Sequence, residues 1–183
     1  MSMIGNTLLN EIVNSKNILE PNQILEKLDN LIRISLRKEQ SDNNDGMDVC
    51  ICRIDKFSDK IFLNFTGAKR NLHYFNSMKN EIETIKGNRR SIGGALCIKN
   101  SEIFISTKIE LQKNDIIYLS SDGFSDQNNY ERKRFGTLQI IDILNNNAQK
   151  SLKIQKEELE NSLNLWMAGE EQRDDVTFIG LKI

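Results

Sequence analysis

Several residue types are scarce in this chain of 183 residues, and each scarcity removes a class of protein. There is one histidine, one proline and one tryptophan, and there are three cysteines. A single histidine, His73, leaves no imidazole cluster for zinc and no Ser-His-Asp order to recruit. Three cysteines, Cys50, Cys52 and Cys97, are too few and too odd for a disulfide framework. No apolar run is long enough to span a bilayer, and no signal peptide is evident. These features together predict a cytoplasmic chain without membrane contact. Neither charge dominates: 25 Lys and Arg face 26 Asp and Glu, for a net charge of −1. That balance argues against an electrostatic nucleic-acid binder. Internal repeats, long linkers and a Gly-rich phosphate loop are missing too. The length suits one domain over 1–183 with a real core.

The periodicities that are present alternate between helix and strand. Ile4, Leu8, Leu9, Ile12 and Val13 recur at helical spacing, as do Ile24, Leu25, Leu28, Leu31, Ile32 and Leu36 behind Pro21 at a first helical position. A polar loop over 41–46 follows. Strands are predicted over 47–54, covered on both faces, and over 60–66, where Ile61, Leu63 and Phe65 share a face. Ser58 and Asp59 form the turn between them. Further strands are predicted over 72–76, 81–86, 95–99, 102–109 and 116–120, with turns at 99–101 and 113–115. Asn114 suits a left-handed turn. Helices return over 137–144 and 151–167, Gly169 stops the second, and a strand over 176–183 ends the chain. This order gives an α+β layered domain.

Two acidic turns stand out against that frame: Ser121-Asp122-Gly123 and Arg173-Asp174-Asp175. The first follows the strand 116–120; the second precedes the strand that begins near Val176. Strand ends hold carboxylates in fixed places, and oxygen donors gathered in one place suit Mg2+ or Mn2+. An Asp in a turn also serves the turn alone, and for Asp122 by itself the two readings are even.

The wider strings decide between them. Asp115-Ile-Ile-Tyr-Leu-Ser-Ser-Asp-Gly-Phe-Ser-Asp-Gln127 and Glu171-Gln-Arg-Asp-Asp-Val-Thr177 resemble the SpoIIE family of metal-dependent, type-2C-like bacterial serine/threonine phosphatases. Asp45-Gly-Met-Asp48, Phe65-Thr-Gly-Ala-Lys-Arg-Asn-Leu72 and Ile92-Gly-Gly94 fit the same pattern in the same order. The resemblance runs from residue 1 to residue 183. It implies an α-β-β-α sandwich of two antiparallel sheets flanked by helices. It also implies hydrolysis of phosphoserine or phosphothreonine by water activated on two Mn2+ or Mg2+ ions, with no protein nucleophile. Asp122 and Asp174 match the family's metal ligands, and Asp175 is the neighbouring candidate. Gly123, Asp126, Lys69 and Arg70 are expected around the substrate. Asp126 has two readings, an accessory metal through water or a loop cap. The family's Asp-x-x-Gly-His-Gly segment, which carries a further ligand, is not in this sequence. The chain therefore looks like the larger C-terminal part of a phosphatase domain without its first strands.

The implied partners are a phosphorylated regulator, such as an anti-sigma factor antagonist, an upstream sensor domain in the full-length protein, and a second copy in a homodimer. The rival reading is a non-catalytic fragment or degenerate phosphatase that binds a partner without turnover. A zinc or redox protein built on Cys50, Cys52 and Cys97 is the third reading. Asp45 and Asp48 read as turn and strand-start residues, Trp166 as core, and Arg132-Lys133-Arg134 as a solvated loop.

Overall fold

The computed structural model describes residues 2–36, 46–94 and 103–183. The expected loop over 41–45 with Asp45, the strand over 95–99, the turn 99–101 and Cys97 lie outside the described residues. The chain divides into two compact units, each interrupted in sequence: 1–72 with 85–111, and 73–84 with 112–183. Each is a sheet carrying helices.

In the first unit, helix α1 (Ser2–Asn10) passes into a π-helical turn, Glu11–Ser15, and α2 (Pro21–Ser35) follows. Pro21 sits at the start of α2, where its missing N–H costs nothing. The apolar stripe Ile24, Leu25, Leu28 and Ile32 is buried, as its spacing requires. With Ile12 it packs against Ala68, Ile92 and Phe104. The sheet has the order β1 (Val49–Phe57), β2 (Lys60–Ala68), β5 (Thr107–Leu111), all antiparallel. Ser58, at φ 52°, turns β1 into β2, which pair from Phe57 with Lys60 outward.

Two strand expectations need correction here. The run 47–54 is not covered on both faces: β1 is an outer strand, half-buried along most of its length, with Ile54 and Phe57 exposed. The strand expected over 102–109 begins only at Thr107 among the described residues. Ahead of it, the Asn88 side chain accepts from the Ile105 N–H and donates to the Ile103 carbonyl. A side-chain amide thus takes the backbone groups that a strand partner would take. Phe104 alone of these three points into the core.

In the second unit the sheet order is β4 (Glu81–Ile85), β3 (Leu72–Asn76), β6 (Ile116–Ser120), β7 (Phe178–Lys182). Asn114 makes the left-handed turn before β6, at φ 73°. A one-turn helix, α3 (Gly123–Asp126), follows β6; α4 (Thr137–Asn147) and α5 (Leu152–Met167) come next. Ser151 caps α5 by accepting from the Ile154 N–H, and Ala168 and Gly169, both left-handed, end it. Phe75, Ile116, Tyr118, Phe124, Phe135, Ile140, Leu144, Leu159 and Leu163 form the core. Tyr118 donates its hydroxyl to Gln155, also buried, which ties α5 to β6 (2.7 Å). The α+β class with two antiparallel sheets and helices is what the chain has.

Candidate functional site

The acidic turns meet at one end of β6 and β7. The two strands pair up to Ser120 with Phe178. One step further, the Ser121 N–H donates to the Thr177 carbonyl and the Thr177 N–H donates to Ser121 Oγ, each at 2.9 Å. The Ser121 hydroxyl in turn donates to the Asp175 carbonyl, also at 2.9 Å. Ser121 therefore stitches the turn that carries Asp122 to the turn that carries Asp174 and Asp175.

Gly123 sets how closely they approach. A Cβ built on it would lie 2.4 Å from the Asp175 carbonyl oxygen and 3.3 Å from that of Asp174. Only a residue without a side chain permits this backbone contact. Below it, Phe124 packs between Phe135 and Phe178, with ring centroids 5.1 and 6.0 Å away.

A second strut was not read from the sequence. Gln127, 1% exposed, donates through Nε2 to the Glu171 carbonyl and accepts at Oε1 from the Arg173 N–H. Its backbone carbonyl takes the Trp166 indole N–H and the Phe135 N–H. One buried amide thus holds the segment entering Asp174. It stands in the quoted acidic string, but a glutamine next to a loop carries no periodic signal that marks it as buried.

The expected site residues are placed as follows. Asp122 starts α3, and its carbonyl accepts from the Asp126 N–H and the Ser125 hydroxyl. Asp174 accepts from the Asp175 N–H at 2.8 Å, and both are exposed. Asp126 is exposed and meets Arg134 at 3.3 Å. Lys69 and Arg70 lie in the other unit, in the turn between β2 and β3, with Lys69 at φ 53°. Asp48 accepts from Ser91 at the start of β1. His73 sits in β3 with Nδ1 2.9 Å from the Thr84 hydroxyl, and burial pulls its pKa down, so it stays neutral. Cys50 and Cys52 share a face of β1, and burial pushes both thiols up, Cys52 to about 12. Among the described residues no further ligand joins them in a group of three, which disfavours a zinc site on this pair. Trp166 packs edge-on against Phe135 at 5.5 Å, a core residue.

Among the described residues, no three His, Cys, Asp or Glu side chains gather into a group able to hold a metal ion. Two carboxylate-bearing turns supply only part of the oxygen set that a pair of hard cations needs. The described residues do not complete such a site.

Two antiparallel sheets carrying helices, with acidic turns meeting at a strand end, define the class: the fold is that of PP2C-type phosphatase domains. The chain belongs to the family described as Stage II sporulation protein E (SpoIIE), whose model matches residues 1–183. Among solved structures it is similar to the SiaA-PP2C domain of Pseudomonas aeruginosa. That match has 25% identity and a TM-score of 0.82, covering 99% of this chain and 68% of that one. It is also similar to the phosphatase domain of the cell fate determinant SpoIIE from Bacillus subtilis, at 12% identity and TM-score 0.58, covering 98% of this chain and 73% of that one. The RsbU and RsbW domains of a Mycobacterium tuberculosis protein match at 15% identity and TM-score 0.63, over 97% of this chain and 45% of that one. No curated protein matches the chain by sequence.

Proposed function

We propose that this chain is a protein serine/threonine phosphatase domain acting on a phosphorylated bacterial signalling protein. Asp122 and Asp174 serve as carboxylate ligands for Mn2+ or Mg2+, with Asp175 beside them. The observation that carries the reading is the backbone contact of Gly123 with Asp175, which joins the two acidic turns of a SpoIIE-family chain. Phosphomonoester hydrolysis needs an activated water and neutralised phosphoryl oxygens; bound divalent ions supply both. The chain's own contribution is to fix two carboxylates at a strand end through Ser121, Gly123 and Gln127. Gly123 and Asp126, on the same turn as Asp122, are the candidate substrate contacts.

Among the described residues the donor set is incomplete, which favours a second reading, a member of the family that binds its partner without turnover. One experiment separates the two. Mn2+ binding by calorimetry and hydrolysis of a phosphoserine peptide are measured on the chain and on Asp122→Asn and Asp174→Asn. The phosphatase reading expects weak Mn2+ binding and slow hydrolysis, both lost in either variant. Absence of Mn2+ binding and of turnover in the parent chain overturns the phosphatase reading for it and leaves the interaction module.

A further inference from the structure

The near-zero net charge conceals a strong local imbalance. Asp and Glu make up 26 of the 183 residues, yet none stands in 60–80 and none in 84–101. Two pieces of these stretches are locked together in the first unit. The Lys69 N–H donates to the Asn88 carbonyl and the Asn88 N–H to the Gly67 carbonyl, both at 2.8 Å. The Gly87 N–H donates to Asn71 Oδ1. A Cβ on Gly87 would lie 2.2 Å from the Arg70 carbonyl oxygen and 2.8 Å from that of Gly67, so the backbones touch. This contact sets Lys69 and Arg70 beside Lys86 and Arg89.

Three of these cations are available. Among the described residues Lys69, Lys86 and Arg89 make no ion pair, and all three are exposed. Their neighbour Arg90 differs: it is committed to Glu26 and Asp29 and stacks on Phe104. The base beneath them is rigid, because Asn88 spends both ends of its amide on Ile103 and Ile105. A cavity of about 290 Å3 opens there, lined by Lys86, Asn88, Arg89, Ile105 and Thr107 among others. It combines two cationic stems, a hydroxyl and a small apolar wall, and among the described lining residues no carboxylate occurs.

We propose that Lys69, Lys86 and Arg89 form a docking site for an acidic segment of the partner protein. The partner's identity as substrate rests on the phosphatase reading; the docking chemistry does not. Several carboxylates along one extended segment match three cations on two strips of backbone bridged side by side. Among the described residues the strips carry no acid to compete with the incoming segment.

The test is binding of a fluorescein-labelled oligoglutamate peptide, followed by anisotropy in a chelating buffer at low and high salt. The parent chain is expected to bind at low salt and release at high salt. Lys86→Glu with Arg89→Glu is expected to weaken binding about tenfold or more. Lys86→Gln with Arg89→Gln should weaken it less, with an unchanged melting curve as the check on folding. Lys153→Glu with Lys156→Glu, on exposed α5, is the control and should change little. The proposal is overturned if the parent does not bind, if the control loses as much as the Lys86 and Arg89 variants, or if a single-stranded oligonucleotide binds more tightly than the peptide. Inorganic phosphate in excess should compete poorly; efficient competition would make this a single-phosphate site instead. Because no metal or turnover enters the readout, its failure is separate from failure of hydrolysis.

Discussion

Gly123 and the residues around it show how much of this site depends on single atoms. Adding one methyl group at Gly123 places it 2.4 Å from the Asp175 carbonyl oxygen, against backbone that is tied down by Ser121. Gly123→Ala should cost about 1–3 kcal/mol by overpacking, and should separate the Asp122 and Asp174 turns. Denaturant unfolding checks the first effect, and faster amide exchange at Thr177 checks the second. A variant of parent stability with unchanged exchange would show that the contact is slack. Titration gives a second residue-scale prediction. Burial raises Cys52 from the ordinary 9.0 to about 12, with the Cys50 charge adding to it; burial also raises Tyr118 from 10.0 to about 12. Both groups are neutral below these values, and in each the folded pKa lies above the unfolded one. Their contribution is therefore fully present below about pH 9 and falls as pH rises toward 12. Melting temperature should decline through that window, and Cys52→Ser with Tyr118→Phe should flatten the decline relative to the parent.

At the scale of elements, the helices and most strands were legible because burial repeats with a period. The stripe of α2 is forced by one-sided contact, so sequence spacing and structure agree at Ile24, Leu25, Leu28 and Ile32; in β2, Asn64 and Thr66 are buried along with Leu63 and Phe65, so the alternation read over 60–66 does not mark an exposed face. Where side chains replace backbone partners, periodicity says nothing. Ile103 and Ile105 read as strand residues by their β-branching, yet Asn88 holds their backbone. Gln127 and Asp115 belong to the same class. Asp115, 2% exposed, accepts from the Ser77 N–H and hydroxyl and from the Gln112 N–H, which closes the turn before β6. The acidic turns themselves were legible through their strand neighbours and the family pattern; the struts that join them were not. Another such network anchors α2. Asp29, 7% exposed, accepts from Arg33 and Arg90 and from the Gly93 N–H, while Arg33 also reaches the Gly94 carbonyl at 2.6 Å. Removing one member strands the other charges in a buried place. Asp29→Ala should destabilise the chain by about 3–5 kcal/mol, read from the denaturant midpoint. A loss below about 1 kcal/mol would mean that water or Glu26 takes over both arginines.

For the whole molecule, the open question is what its sheet edges do in solution. The second sheet ends in β4 on one side and β7 on the other. The two edges are differently protected. β4 carries Glu81 and Glu83, and charge on an outer strand discourages pairing with another chain. β7 reads Phe-Ile-Gly-Leu-Lys, with Ile179 53% and Leu181 45% exposed and one charge, Lys182, at its end. Net charge offers no second barrier, because −1 with a pI near 6.0 gives little repulsion between copies near neutral pH. An outer strand with exposed apolar side chains and one terminal lysine is a template for another strand. The chain is therefore expected to self-associate with rising concentration in light scattering. Ile179→Lys puts a charge in the middle of β7, opposite Leu119 across the pair, on a side chain already half in water. It should shift the population toward monomer while leaving the melting temperature within a few degrees of the parent. A parent chain that stays monomeric at all concentrations would show that the β7 edge is closed to partners. Association that survives Ile179→Lys unchanged would move the contact to a different surface, with β1 as the next outer strand to test.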